Sequence, residues 1–165
     1  MGVTLSAPAP IRPDHDAASF ACGQPSLDDW LRRRALGNQQ TGASRTYVVA
    51  DGSRIVAYYA LASGALACAG ATGRIRRNMP EPIPMAILGR LAIDTRYQGR
   101  GLGCALFRDA ALRVLSAADA IGIRGLMVHA LSDEAARFYQ AIGLAPSPSE
   151  PTTLMVTLEE LRAAL

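Results

Sequence analysis

A turn with glycine at every second position, Gln98-Gly99-Arg100-Gly101-Leu102-Gly103, constrains this chain more than any other feature. Before it runs an apolar stretch, Pro84 to Asp94, that reads as a strand. After it, over residues 104–121, Cys104, Phe107, Ala111, Val114, Ala118 and Ile121 recur at helical spacing, with Arg108, Asp109, Arg113 and Asp119 on the other face. Where a strand hands over to a helix, backbone N–H groups and the positive helix end converge on one point and favour an anion. Glycine removes the Cβ atoms that would keep a phosphate away and admits the φ values that aim successive N–H groups together. A pyrophosphate fits such a place. Three other readings compete. A dinucleotide fold needs a further spaced glycine pattern and an acid about 20 residues on, after a parallel strand; Asp119 falls near that distance but inside the amphipathic segment. A Walker loop needs Lys, and the chain has none. A simple tight turn accounts for one glycine more readily than for three.

The remaining pattern fixes the fold class. SLDDWLRRRALGNQQ (26–40) reads as a helix with Ser26 as N-cap and Asp28 and Asp29 in the first turn. SRTYVVA (44–50) and RIVAYYALASG (54–64) flank Asp51-Gly52 and read as a hairpin. RGLMVHA (124–130) reads as a short buried strand. Ser132 then caps a helix opened by Asp133 and Glu134, with Ala135, Phe138 and Ile142 inward and Gly143 as stop. Thr152–Thr157 reads as a last strand, and residues 6–16 and 78–84 as the loops. Antiparallel pairing combined with one β-α-β unit makes the class α+β. At 165 residues, without repeats or a long linker, residues 1–165 read as one domain.

Charge is informative by position. All 17 basic residues are Arg, and twelve of them lie between Arg32 and Arg108 against only Asp51, Glu81 and Asp94, so that segment is +9 while both flanks are net negative. Arg offers phosphate a planar, bidentate fork; an Arg-favouring composition is the other explanation. Arg32, Arg33 and Arg34 point in three directions from a helix and read as a solvated face, whereas Arg74, Arg76 and Arg77, with Arg90 on the strand, are better placed to hold nucleic acid. Cys22, Cys68 and Cys104 form no CxxC or Cys/His pattern and read as small buried hydrophobes, so neither a disulfide framework nor a metal site is expected. No apolar run approaches the roughly 18 to 20 residues of a membrane span, and the amino end has no leader features, so a cytoplasmic protein with no membrane partner is expected.

Gln98-x-x-Gly101-x-Gly103, placed after Leu91-Ala92-Ile93-Asp94, resembles the Q/R-x-x-G-x-G/A acetyl-CoA loop of the GNAT N-acetyltransferases. LDDWLRRRALGNQQTGASRTYVV, RRNMPEPIPMAILGRLAID and MVHALSDEAARFYQAIGL are similar to the GNAT toxins of bacterial toxin–antitoxin modules, of the TacT kind, over nearly the whole chain. The resemblance implies a mixed, mostly antiparallel sheet flanked by helices, with a splayed strand pair for acetyl-CoA. It implies acetyl transfer from acetyl-CoA to the α-amine of aminoacyl-tRNA, a block of translation, a neutralising ribbon-helix-helix antitoxin and toxin homodimers. Within it, Leu91, Ala92 and Ile93 would pair with the pantetheine amides, and Gln98, Gly99, Arg100, Gly101, Leu102 and Gly103 would hold the pyrophosphate. Tyr139 matches the tyrosine that protonates the leaving thiolate, although from the residues alone it reads as a packing tyrosine. Arg76, Arg77 and Arg90 become the tRNA contacts. No dedicated base is required, because a free α-amine titrates near 7.7 to 8.0 and its ester lowers that further. His129 is the alternative base, though a lone His in an apolar strand reads first as a core residue. Glu134 reads as a helix-dipole acid, and His15 suggests nothing. The other functions weighed are a GNAT acting on a small amine or peptide N-terminus, which the +9 segment disfavours, and a non-catalytic acyl-CoA-binding module, which Tyr139 speaks against.

Overall fold

The computed structural model describes residues 4–165; Met1–Val3, part of the amino end read above for leader features, lie outside them. In chain order the elements are β1 (Ala9–Pro10), α1 (Pro25–Trp30), α2 (Leu36–Thr41), β2 (Arg45–Asp51), β3 (Arg54–Leu66), α3 (Gly73–Arg76), β4 (Ile83–Ile93), α4 (Leu102–Ala117), β5 (Gly125–His129), α5 (Asp133–Ala141), β6 (Ala145–Pro146), β7 (Thr153–Thr157) and α6 (Leu158–Ala164). They fall into two compact units, one reaching to Ala62 and taking in Gly89–Ala110, the other formed by Ser63–Leu88 and Ala111–Leu165. The strand order is β1-β2-β3-β4-β5-β7-β6.

In the first unit, Asp51-Gly52 closes the β2–β3 hairpin as expected. Gly52 sits at φ 65°, and the antiparallel register runs from Arg45↔Leu61 to Asp51↔Arg54 with a bulge at Val49/Ala50. β1 adds an edge strand to β2 inside what reads as a loop. The helical segment begins at Pro25, not after Ser26. Proline pre-sets the helical φ at the first position, and Gln24 is the N-cap without a side-chain bond. Asp28 is buried and accepts the Cys22 N–H at 2.9 Å, which ties the incoming chain to the helix. Between α1 and α2, Leu31–Ala35 widens into a π turn. Leu27, Leu31 and Ala35 face inward and pack with Phe20, Val48, Ile55, Tyr58 and Ala92. Arg32, Arg33 and Arg34 are exposed, as expected of a solvated face.

In the second unit β4 and β5 pair in parallel from Met85↔Gly125 to Leu88↔Val128, and β7 lies antiparallel to both β5 and β6. Ala71, Ile75, Ile83, Met85, Met127 and Met155 form its core. Ser132 caps α5 by accepting the Ala135 N–H at 3.1 Å, and Gly143 at φ 111° ends it. The parallel β4–β5 pair beside the antiparallel pairs of β7 gives the α+β class read from the sequence.

Several boundaries differ from expectation. α4 begins at Leu102 and stops at Ala117, so Gly103 belongs to its first turn. The buried stripe of α4 is Leu106, Phe107, Ala110, Ala111 and Val114, which leaves Cys104 and Ile121 exposed. Cys22 and Cys68 are only half-buried, so none of the three cysteines is a core residue. α6 and the single turn α3 form where the sequence pattern predicts no element. Among the described residues no helix is long and apolar enough to cross a membrane.

Candidate active site

The glycine turn is braced by its own strand. At the end of β4 the Asp94 carboxylate, 1% exposed, accepts the Arg96 backbone N–H at 3.0 Å, the Ala21 N–H at 3.2 Å and a two-pronged contact from the Arg96 guanidinium at 3.0 and 3.1 Å. Burial pushes the Asp94 carboxyl up, and the bonds from Arg96 and Ala21 outweigh it, so its pKa is lowered. Buried Tyr97 donates its hydroxyl to Asp51 at 3.1 Å and accepts from Arg54 at 2.9 Å, while Arg100 lies 5.2 Å from the Tyr97 ring centre. The Gln98 side-chain amide donates to the Ile93 carbonyl at 2.8 Å and to the Cys22 carbonyl at 3.0 Å. What Gln98 offers a ligand is therefore its backbone, its side chain being occupied with the turn.

Gly99 and Gly101 adopt φ 77° and 80°, and a Cβ at either would meet nothing within 4 Å. The turn is thus open on the side a side chain would occupy. The first N–H groups of α4, sixteen residues long, have no partner within the helix. Open glycines at the head of a long helix fit a pyrophosphate. On β4, Ala92 packs into the core while Leu91 and Ile93 are half-buried. The register with β5 ends at Leu88, and Gly89–Ile93 continues past it.

In the second unit, Tyr139 on α5 is buried, with the Phe138 ring 5.2 Å away edge-on. Burial pushes its phenol up to about 12, so it holds its proton throughout the neutral range. Glu134 is exposed in the first turn of α5, as a helix-dipole acid would be. His129 is exposed, not the core residue its apolar strand suggested. It is the last residue of β5, and its ring Nδ1 lies 3.0 Å from Thr153 Oγ1. Thr153 Oγ1 in turn donates to Glu150 Oε2 at 3.2 Å. With its one hydrogen given to the carboxylate, the threonine accepts from His129 Nδ1–H, which leaves Nε2 as the acceptor nitrogen of the neutral ring. His129→Ala is accordingly expected to cost no more than about 1 kcal/mol, the worth of one partly exposed hydrogen bond. Thermal denaturation checks this, and a loss above about 3 kcal/mol would restore a core role.

The arginines divide by circumstance. Arg74 pairs with Glu160 at 3.1 Å, and Arg124 donates to the carbonyls of Arg74 and Ile75 at 2.6 and 3.0 Å, closing the end of α3. Arg76 and Arg77 are exposed. Arg90, in the other unit, is half-buried and lies over the Trp30 ring, 4.3 Å from its centre. Nothing local in the sequence links Trp30 to a residue sixty positions on. Among the described residues no group of three or more His, Cys, Asp or Glu is arranged to hold a metal ion.

A model of the acetyltransferase (GNAT) domain matches residues 42–143. The chain belongs to the GNAT acetyltransferase family. This GNAT is 51% identical over 160 residues to the tRNA-acetylating toxin of Mycobacterium tuberculosis, covering 97% of this chain and 96% of that protein. AtaT complexed with acetyl-methionyl-tRNAfMet matches at TM-score 0.88 and 27% identity over 97% of this chain and 98% of that one. A mutant AtaT toxin bound to the C-terminus of the antitoxin AtaR and acetyl-CoA matches at TM-score 0.83 and 27% identity over 97% of each chain. The fold, the enzyme class and the toxin kinship expected from the resemblance all hold.

Proposed function

We propose that this GNAT transfers the acetyl group of acetyl-CoA to the α-amine of an amino acid esterified to tRNA and so arrests translation. The open Gln98–Gly103 turn at the head of α4 carries the reading on the donor side, and the kinship with a tRNA-acetylating toxin carries it on the acceptor side. We further propose that residues 1–165 act as a single acetyltransferase domain, in the cytoplasm, as a homodimer neutralised by a ribbon-helix-helix antitoxin.

The chemistry follows from the groups present. Backbone N–H groups from Gln98 to Gly103 bind the pyrophosphate, and Leu91–Ile93 aligns the pantetheine amides by strand-like pairing. The neutral amine attacks the thioester carbonyl, forming the N–C bond. The C–S bond breaks, the amine releases a proton to water, and Tyr139 O–H protonates the departing thiolate before being reprotonated from solvent. An acid that stays protonated at neutral pH suits the last step, because the thiolate, with a reference pKa about 8.5, is the only strong base formed. Incubation of the protein with acetyl-CoA and either charged tRNA or a panel of small amines and peptides tests the reading; transfer to the small amines alone overturns it.

Arg76 and Arg77 supply the general backbone contacts. Replacing both with Gln should remove about two phosphate contacts and flatten the plot of log affinity against log salt by roughly 0.7 to 0.9 per contact. Acetyl-CoA affinity should not change. Equal salt slopes for wild type and variant would make these arginines solvated surface.

A further inference from the structure

We propose that Arg90, held over the Trp30 ring, grips the 5′-phosphate of the terminal nucleotide of the loaded tRNA and thereby sets the aminoacyl ester against the acetyl donor. This rests on the acceptor class proposed above. Trp30 is stacked at 5.9 Å and 12° on Tyr58, and Arg90 covers it at 4.3 Å. The base of the stack is fixed. Tyr58 is fully buried, donates its hydroxyl to the Leu27 carbonyl at 2.7 Å and meets Phe20 edge-on at 5.6 Å. The π turn that follows directly on Trp30 keeps the helix continuous while Leu31 and Ala35 stay in the core.

Arg90 itself has no hydrogen bond or ion pair with any described residue. Arg32, Arg54 and Arg96, by contrast, each hold a carboxylate within the same unit. A half-buried guanidinium held over an aromatic ring, with all its N–H donors unspent, is a cation prepared for an anion, and phosphate matches its planar fork. Position sharpens the reading. Leu91, the next residue, opens the strand segment assigned to the pantetheine amides, so an anion at Arg90 lies beside the path of the acetyl group. On a charged tRNA the phosphate nearest the reactive amine is the 5′-phosphate of the terminal nucleotide. A free amino acid, polyamine or peptide N-terminus brings none. Arg90 would then select loaded tRNA over free amines, a task distinct from the diffuse contacts of Arg76 and Arg77.

Trp30 is the sole tryptophan of the chain, so its fluorescence reports this site and no other. With the protein saturated in CoA to occupy the glycine turn, titration with AMP should change the Trp30 emission saturably, whereas adenosine should not. Arg90→Gln and Arg90→Lys should both lose the AMP response while keeping the wild-type circular dichroism spectrum, since Lys supplies the charge without the planar fork. In turnover, Arg90→Lys should raise KM for charged tRNA by about tenfold or more and leave KM for acetyl-CoA unchanged. No AMP response in the wild type, an equal response to adenosine, or an undiminished response in Arg90→Gln overturns the assignment. Failure of the wild type to acetylate any charged tRNA would instead defeat the proposed acceptor class, and the AMP titration decides the Arg90 site independently of it.

Discussion

Replacing Tyr139 with phenylalanine is expected to lower turnover by about 10² to 10⁴, the usual worth of a positioned general acid, with acetyl-CoA affinity unchanged. Phe fills the same buried site, so the fold at neutral pH should be preserved, and a loss below threefold would hand the proton to water or another residue. The pH dependence carries a second signature. Burial pushes the phenol up to about 12 from an ordinary value near 10, so the folded state binds its proton more tightly than the unfolded chain does. That contribution to stability is complete below pH 10 and is lost between about pH 10 and 12. It amounts to roughly 2 to 3 kcal/mol, because each tenfold difference in proton affinity between the folded and unfolded states is worth about 1.4 kcal/mol. Tyr139→Phe should therefore flatten the alkaline fall in stability over that window, a result that urea denaturation at pH 8 and pH 11 can check.

Gly101→Asp should weaken acetyl-CoA binding by on the order of 10² to 10³, because a carboxylate would stand within a few ångströms of the pyrophosphate in a partly desolvated place. The backbone at φ 80° adds its own penalty of about 1 to 2 kcal/mol, which Asp tolerates better than most residues. A drop in Tm of a few degrees is thus expected beside the lost affinity. Calorimetric titration of a folded Gly101→Asp variant separates the two effects, and wild-type affinity would remove the turn from the binding site. Gly101→Ala would be less informative, since the space around that Cβ is open.

Local chemistry was readable wherever one residue type fixes one geometry. Asp51-Gly52, Ser132 and Gly143 each do what their side chains, or lack of one, require. α1 starts at Pro25 and not after Ser26 because the two residues compete for the same boundary, and proline, with its φ already set, moves it forward. α6 was legible in principle: Thr157-x-x-Glu160 is a capping box, in which Thr157 accepts the Glu160 N–H at 3.1 Å, but it follows directly on a strand with no turn to announce it. β1 and β6 are two-residue edge strands, each containing a proline, and carry no periodic signal. The glycine turn could be read because its residues are contiguous. The exposure of His129 could not, since four buried residues precede it in β5 and only the end of the strand brings it to the surface. Nor could the Trp30–Arg90 stack, which depends on long-range packing of α1 against β4.

The bracing of the glycine turn by Gln98 and Asp94 determines when its disorder is given up. Both side chains bind backbone of the same unit, at Ile93, Cys22, Ala21 and Arg96, so the loop takes its shape as the chain folds and before any nucleotide arrives. Fixing one residue costs about 1 to 2 kcal/mol of backbone entropy, and over the turn that sum is charged to folding and not to association. Encounter with the donor then requires no rearrangement of the loop, and affinity tracks the fit of its N–H groups to the phosphates, not the stiffness of the segment that carries them.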